Sequence, residues 1–184
     1  IFKYLTGTNV EASYHEEIYR LTTVDGLTKT YNRRYLQEQV ARELSRSARY
    51  ARPLSLVWLD IDEFQKLNQE HGHLAGDSVL TQVAAAIRKN IRREDVLARV
   101  EGDSFAFILP ETDGDRARQF SEKVRRLVEA QSFTFEGTDL RISVSLGVAS
   151  VTGQPPHPTP EQFMQMAEEN VALAKRQGRN RVAG

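Results

Sequence analysis

The sequence predicts an α/β domain in which a mixed central sheet is flanked by helices on both faces. Three observations carry this reading. Leu54–Leu59 (LSLVWL) is an unbroken apolar run of strand formers, the pattern of a buried central strand. Val96–Val100 and Phe105–Leu109 are two further strand-like runs, and the segment between them contains a glycine, as a β-hairpin requires. Segments with helical spacing alternate with these strands, so helices are expected to layer over the sheet.

Taken in order, Val10–Thr23 is polar, with Tyr14, Ile18 and Leu21 at helical spacing. Residues 1–24 are therefore read as a linker or lead-in helix, and 25–184 as the domain. Asn32–Tyr50 gathers Tyr35, Leu36, Val40 and Leu44 on one helical face, and Pro53 is its expected stop. The central strand follows. A helix is expected over Glu63–Glu70, broken by Gly72, and another over Ala75–Asn90. After the hairpin, Asp113–Ala130 reads as helix and Arg141–Val151 as strand. Gly153–Pro160 holds four prolines and reads as a loop. The last helix is expected over Glu161–Gln177, closed by Gly178.

The composition narrows the function classes. A chain of 184 residues fits one domain with a short extension and can bury a core without staples. Lysine plus arginine equals aspartate plus glutamate, at 25 each, which gives no basis for bulk nucleic-acid or membrane binding. The absence of cysteine excludes a disulfide frame and thiolate chemistry, and fits a reducing compartment. No apolar run is long enough to span a bilayer, and no secretory signal is present. A cytoplasmic location is the expectation. The chain begins at Ile1 and not at methionine, so an upstream sensory or regulatory domain is expected as well.

Two carboxylates stand where chemistry is expected. Asp60 ends the central strand, and open α/β sheets place ligands at strand C-termini. Asp103 lies on the hairpin. Carboxylates from two such elements can share a hard cation such as magnesium, which prefers oxygen ligands. A loop-and-cap role is the plainer use of either residue.

Four segments in one order carry a resemblance. They are DGLTKTYNRRYL (Asp25–Leu36), DIDEFQKLNQEHGHLAGDSVL (Asp60–Leu80), RVEGDSFAFILPET (Arg99–Thr112), and SVSLGVA (Ser143–Ala149) with AKRQGRNRV near the C-terminus. Together they resemble the GGDEF domain family of diguanylate cyclases, over about Asp25–Val182. The resemblance implies a nucleotidyl-cyclase-like fold whose β-hairpin carries the signature loop. It implies Mg2+ held by Asp60, the backbone carbonyl of Ile61 and Asp103. Asn68 and Asp77 match the guanine-reading pair, and Phe64, Gly102, Lys175 and Arg179 match other nucleotide-contacting positions. Read alone, Asp77 after Gly76 could cap a helix, and Lys175 and Arg179 could simply complement a helix dipole.

The signature departs from the family pattern of two glycines, two acids and a phenylalanine. It reads Glu101-Gly102-Asp103-Ser104-Phe105. Glu101 is expected to add bulk, charge or turn strain beside a polyanion. Ser104 replaces the acid implicated in metal binding and in activating the attacking hydroxyl, and a serine is no general base near pH 7 without its own activator. Of the catalytic pair Asp103 and Ser104, the second is thus expected to be non-functional. Gln65 also replaces a phosphate-binding lysine, and Lys66 is turned about 100° away on a helix.

Arg92-Arg93-Glu94-Asp95 is an RxxD pattern, with five residues between Asp95 and the signature. The register matches the family's inhibitory site for cyclic di-GMP. An arginine fork can bond the O6/N7 edge of guanine, and a carboxylate can accept from its N–H groups. An ordinary surface ion pair would use the same residues. A further cation is expected from the following helix, where Lys123, Arg125 and Arg126 are the candidates. His71-Gly72-His73 reads as a turn and not as a metal site.

The resulting expectation is a catalytically silent receptor of cyclic di-GMP, acting through Arg92 and Asp95, with a ligand-bridged homodimer and residual GTP binding. The competing readings are an active diguanylate cyclase inhibited by its product, and a scaffold that binds neither nucleotide.

Overall fold

The computed structural model describes Ile18, Tyr19 and Leu21–Gly184. Ile18, Tyr19 and Leu21–Thr23 are helical; the rest of the expected lead-in segment lies outside the described residues.

Helix α1 spans Arg33–Tyr50, and Asn32 caps it by accepting from the Tyr35 N–H at 3.0 Å. It ends at Ala51 in left-handed geometry (φ 51°), two residues before the proline expected to stop it. Strand β1 is Leu54–Ile61. Helices α2 (Phe64–His71) and α3 (His73–Arg88) follow, parted at Gly72, whose φ of 85° breaks the helical run. Next come β2 (Val96–Glu101), β3 (Ser104–Pro110) and α4 (Gly114–Ala130), the last capped by Asp113. The short strands β4 (Phe133–Phe135) and β5 (Thr138–Leu140) precede β6 (Val144–Val151). Helix α5 (Pro160–Arg176) opens on a Thr159–Gln162 capping box, and β7 (Val182–Ala183) closes the domain.

The main sheet runs β2-β3-β1-β6-β7. Its pairs are antiparallel except β6–β7, which is parallel, so the sheet is mixed as expected. Strand β1 is central and buried. Because side chains alternate across a strand, it serves two cores. Val57, Leu59 and Ile61 pack with Phe105, Phe107 and Leu146 against Val79, Val83 and Val124. Leu56 and Trp58 pack with Ala106 and Ile108 against Leu36, Val40, Phe163 and Val171.

This alternation aims the site. Asp60 falls on the Trp58 face, at the end where β1 leaves the core. On the same face, Gly147 stands opposite Trp58. A Cβ there would overlap backbone atoms of Ala167 and Val171, so α5 lies directly on β6. That close seating carries the C-terminal turn of α5 to the end of β1.

Two elements depart from the sequence reading. The expected strand Arg141–Val151 begins only at Val144, because the Ser143 carbonyl and hydroxyl both turn to Asp62. The β4–β5 hairpin and β7 are too short to leave a periodic signal.

Candidate functional site

The end of β1 is electrostatically unfinished. Asp60 is mostly buried, and its Oδ2 accepts from Lys175 Nζ at 2.6 Å. Its Oδ1 is buried without a hydrogen-bond partner among the described residues. An orphaned buried acceptor costs about 1–3 kcal/mol, a cost that a bound cation or donor would offset. Asp103 approaches from the hairpin, and its carbonyl accepts from the Ile61 N–H at 3.4 Å. Burial, and then the charge of Asp60, push the Asp103 carboxyl above its usual value, against the pull of Lys175 and Arg99. A divalent cation would relieve both defects, so the carboxylates of Asp60 and Asp103 suit a hard, oxygen-seeking cation such as magnesium. No cluster of three or more histidine, cysteine or acidic side chains offers a metal site among the described residues; position 104, a serine, cannot supply a third carboxylate.

The signature turn is unstrained at its first position. Gly102 is the left-handed residue (φ 50°), while Glu101 is not among the residues with positive φ. The strain expected at Glu101 is therefore absent. Its charge is also engaged: Arg33 Nη1 donates to Glu101 Oε2 at 3.2 Å. Ser104 opens β3 directly opposite Asp60. Behind the turn, Arg99 Nε donates to the Gly102 carbonyl at 2.9 Å while its Nη1 reaches Asp25 Oδ1 at 3.3 Å. Asp25 also accepts from the Thr28 N–H and hydroxyl. Asp25 thus both caps a turn and pairs with Arg99.

The α2–α3 junction is closely packed. Phe64 and Asn68 lie one helical turn apart on α2. Asn68 Oδ1 is buried without a partner among the described residues. A Cβ at Gly76 would overlap this amide oxygen and lie 2.9 Å from the Phe64 ring, so only glycine permits the arrangement. Asp77 follows Gly76 in the body of α3 and is exposed, so it is not the helix cap its spacing allowed.

Arg179 lies apart from the Lys175–Asp60 pair, in a cavity of about 520 Å³ that also takes Asp62, Lys66 and Arg141. Gln65 is exposed on α2. Asp62 was not singled out in the sequence. It is buried and accepts from Ser143 Oγ at 2.7 Å, Ser145 Oγ at 2.6 Å and the Asn180 N–H at 3.0 Å.

A second concavity, of about 660 Å³, contains Arg92, Asp95 and Lys123. Asp95 Oδ2 accepts from the Arg92 backbone N–H at 2.9 Å, which closes the turn. The Arg92 guanidinium makes no ion pair among the described residues, so it is available to a ligand. Burial raises the Asp95 carboxyl above its usual value despite that hydrogen bond and the charge of Arg92. Of the candidates on the following helix, Lys123 lines the concavity and Arg125 does not. Arg125 is held on another face of α4 by Glu122 at 2.8 Å and Glu129 at 2.9 Å, and Arg126 also bonds Glu122. Arg116, Gln119 and Phe120 share the wall with Lys123. Their helical spacing from Lys123 was the signal that would have found them.

Comparisons with known proteins show the family and the fold. The family model described as diguanylate cyclase, GGDEF domain, matches residues 22–181. The chain belongs to the GGDEF domain family. Diguanylate cyclase DosC of Escherichia coli is 36% identical over 173 residues, covering 94% of this chain and 36% of that protein. The response regulator PleD of Caulobacter vibrioides is 36% identical over 166 residues, covering 89% of this chain and 36% of that protein. The chain thus spans about a third of the length of these relatives. The crystal structure of the coiled coil and GGDEF domain of DgcB from Caulobacter crescentus, in complex with c-di-GMP, superposes with a TM-score of 0.88. It is 28% identical, and the match covers 96% of this chain and 92% of that one. The fold is that of GGDEF structures. No helix among the described residues is long and apolar enough to cross a membrane.

Proposed function

We propose that this domain is a receptor for cyclic di-GMP and does not synthesise it. The observation that carries the reading is the contrast between two sites. Around Arg92, a free guanidinium, a half-buried carboxylate and Lys123 face one concavity of suitable size for a nucleotide ligand. At the signature, Ser104 stands where the family has an acid. Its neighbours there are Asp60, which is paired with Lys175, and Asp103, whose carboxyl is pushed above its usual value. Losing a positioned acid–base group lowers a rate by about 10²–10⁴-fold.

Arg92 would take a guanine edge through its fork, and Asp95 would accept from guanine N–H groups. Lys123 and Arg116 would neutralise the phosphodiesters. A dinucleotide has two such faces, so a second copy of the chain is the expected partner across the ligand. A cytoplasmic location and an upstream regulatory domain belong to the same reading.

Residual GTP binding fits the cleft at β1. Asn68 and Asp77 would read guanine, with Phe64 and Gly102 lining its approach. Asp60, Ile61 and Asp103 would hold Mg2+, which supplies charge to neutralise nucleotide phosphates when bound. Lys175, relieved of Asp60, would then serve a phosphate oxygen, and Arg179 another. The partnerless Oδ1 of Asp60 and Asp103's raised carboxyl favour the second reading, an active cyclase joining two GTP, to this extent only. Incubation with GTP and magnesium, followed by chromatography, separates the two. The receptor reading expects no c-di-GMP; turnover at rates ordinary for diguanylate cyclases contradicts it.

A further inference from the structure

The loop after α5 is held in an unusual backbone state. Gly178, Arg179 and Asn180 have φ of 120°, 62° and 49°, so two successive non-glycine residues are left-handed. Side chains rarely accept that conformation, and it persists only where surrounding contacts determine it. Here the contacts converge on Asn180. Its N–H donates to the buried carboxylate of Asp62 at 3.0 Å. Its Oδ1 accepts from Arg125 Nη1 at 2.9 Å, and its Nδ2 donates to Glu129 Oε1 at 2.6 Å. Arg125 is itself clamped between Glu122 and Glu129. The Glu129 carboxyl is held below its usual value, first by the Asn180 bond and then by that from Arg125.

Each partner leads to a different part of the molecule. Asp62 is two residues beyond Asp60, at the strand end that carries the candidate cation ligands. Arg179 immediately precedes Asn180, and Lys175 lies one turn before the loop. Arg125 and Glu129 belong to α4, whose other face presents Arg116, Gln119 and Lys123 to the Arg92–Asp95 concavity. A glycine at 180 would satisfy the backbone more cheaply. The side chain is retained in a bonded role in both directions, which a turn alone does not need.

We propose that Asn180 is a positioning residue for the nucleotide cleft, fixing the turn that presents Arg179 and bolting that turn to the helix that lines the dinucleotide concavity. The inference rests on the reading of Arg179 as a phosphate contact, and is independent of dinucleotide binding. Asn180→Gly is the informative variant, since it keeps the left-handed backbone and removes only the side-chain bolt. Arg125→Gln removes the same bolt from the other side.

The test is calorimetry with a non-hydrolysable GTP analogue and magnesium, and separately with c-di-GMP alone. Asn180→Gly and Arg125→Gln are each expected to weaken analogue binding by about tenfold, with the c-di-GMP affinity held within about twofold. The double variant Arg179→Ala/Asn180→Gly is expected to lose no more than Arg179→Ala does, because the bolt acts through the arginine. A merely structural role would instead lower thermal stability and leave the losses additive. Unchanged analogue affinity in Asn180→Gly, additive losses in the double variant, or a wild type that takes no analogue would overturn the proposal. A wild type that takes the analogue but no c-di-GMP overturns the receptor reading, and the Asn180 variants still decide this one.

Discussion

Ser104 stands directly across β1 and β3 from Asp60, so a hydroxyl occupies the sheet face on which Asp60 keeps a buried oxygen without a partner. The hairpin is otherwise well formed: Gly102 makes the turn, Arg99 fastens its carbonyl, and Glu101 is drawn to Arg33. The defect is thus chemical and local. Restoring the acid by Ser104→Glu, together with Gln65→Lys, is expected to yield c-di-GMP where wild type yields none, at a rate about 10²-fold or more above the detection limit, the lower end of what a positioned acid–base group contributes. Product quantified by chromatography after incubation with GTP and magnesium checks this.

The contact between Gly76 and Asn68 gives a second expectation. A methyl group at 76 collides with the Asn68 amide and crowds Phe64. Gly76→Ala is expected to destabilise the fold by about 1–3 kcal/mol, as overpacking does, and to abolish binding of a GTP analogue. Denaturant unfolding and calorimetry read the two effects separately. Binding of c-di-GMP at the distant Arg92 concavity is expected to survive.

Magnesium affinity should carry the mark of Asp103. Its carboxyl is raised by burial and by Asp60, so its proton is held at a pH where an ordinary aspartate has already lost it. A cation needs the charged form. Affinity is therefore expected to fall as pH drops through the raised value, above the ordinary aspartate value of about 4. Magnesium titrations between pH 5 and pH 8, on wild type and Asp103→Asn, follow this loss; the variant is expected to bind weakly throughout.

Asp25 titrates in the opposite sense. Burial raises its carboxyl, but bonds from Thr28 and the charge and bond of Arg99 together hold it below its ordinary value. A depressed folded value means stability that is full above the unfolded value, near about 4, and lost as pH falls through the folded one. Asp25→Asn is expected to cost about 2 kcal/mol at pH 7, in the range of hydrogen bonds to a charged group. The difference from wild type shrinks below pH 4. Urea midpoints measured from pH 3 to pH 7 check both the size and the sign.

The fold was legible wherever a segment was long enough to show a period. Leu54–Leu59 announced the central strand, and Leu36, Val40 and Leu44 the buried face of α1. The β4–β5 hairpin and β7 were not legible, since strands of two or three residues carry no period. Asn68 and Asp77, Asp60 and Asp103, and the RxxD turn were singled out from motifs; in the fold Asp103 lies close enough to Asp60 to feel its charge, and Asp95 closes a turn on the Arg92 N–H. Arg125 was weighed for the concavity and sits elsewhere, because two neighbouring glutamates on its own helix and Asn180 claim its guanidinium. Asp62 escaped notice because its partners, Ser143, Ser145 and Asn180, are about 80 to 118 residues away in sequence. Glu101 was expected to strain the turn; in the fold the left-handed position falls one residue later, on Gly102.

The most direct measurement is calorimetry of c-di-GMP binding to wild type, Arg92→Ala and Arg125→Ala. The account predicts saturable binding by wild type, a loss of at least about 10²-fold in Arg92→Ala, as expected when a bidentate guanine contact of about 1–3 kcal/mol and its stacking go together, and near-wild-type binding in Arg125→Ala. No binding by wild type, or equal binding by Arg92→Ala, would contradict it.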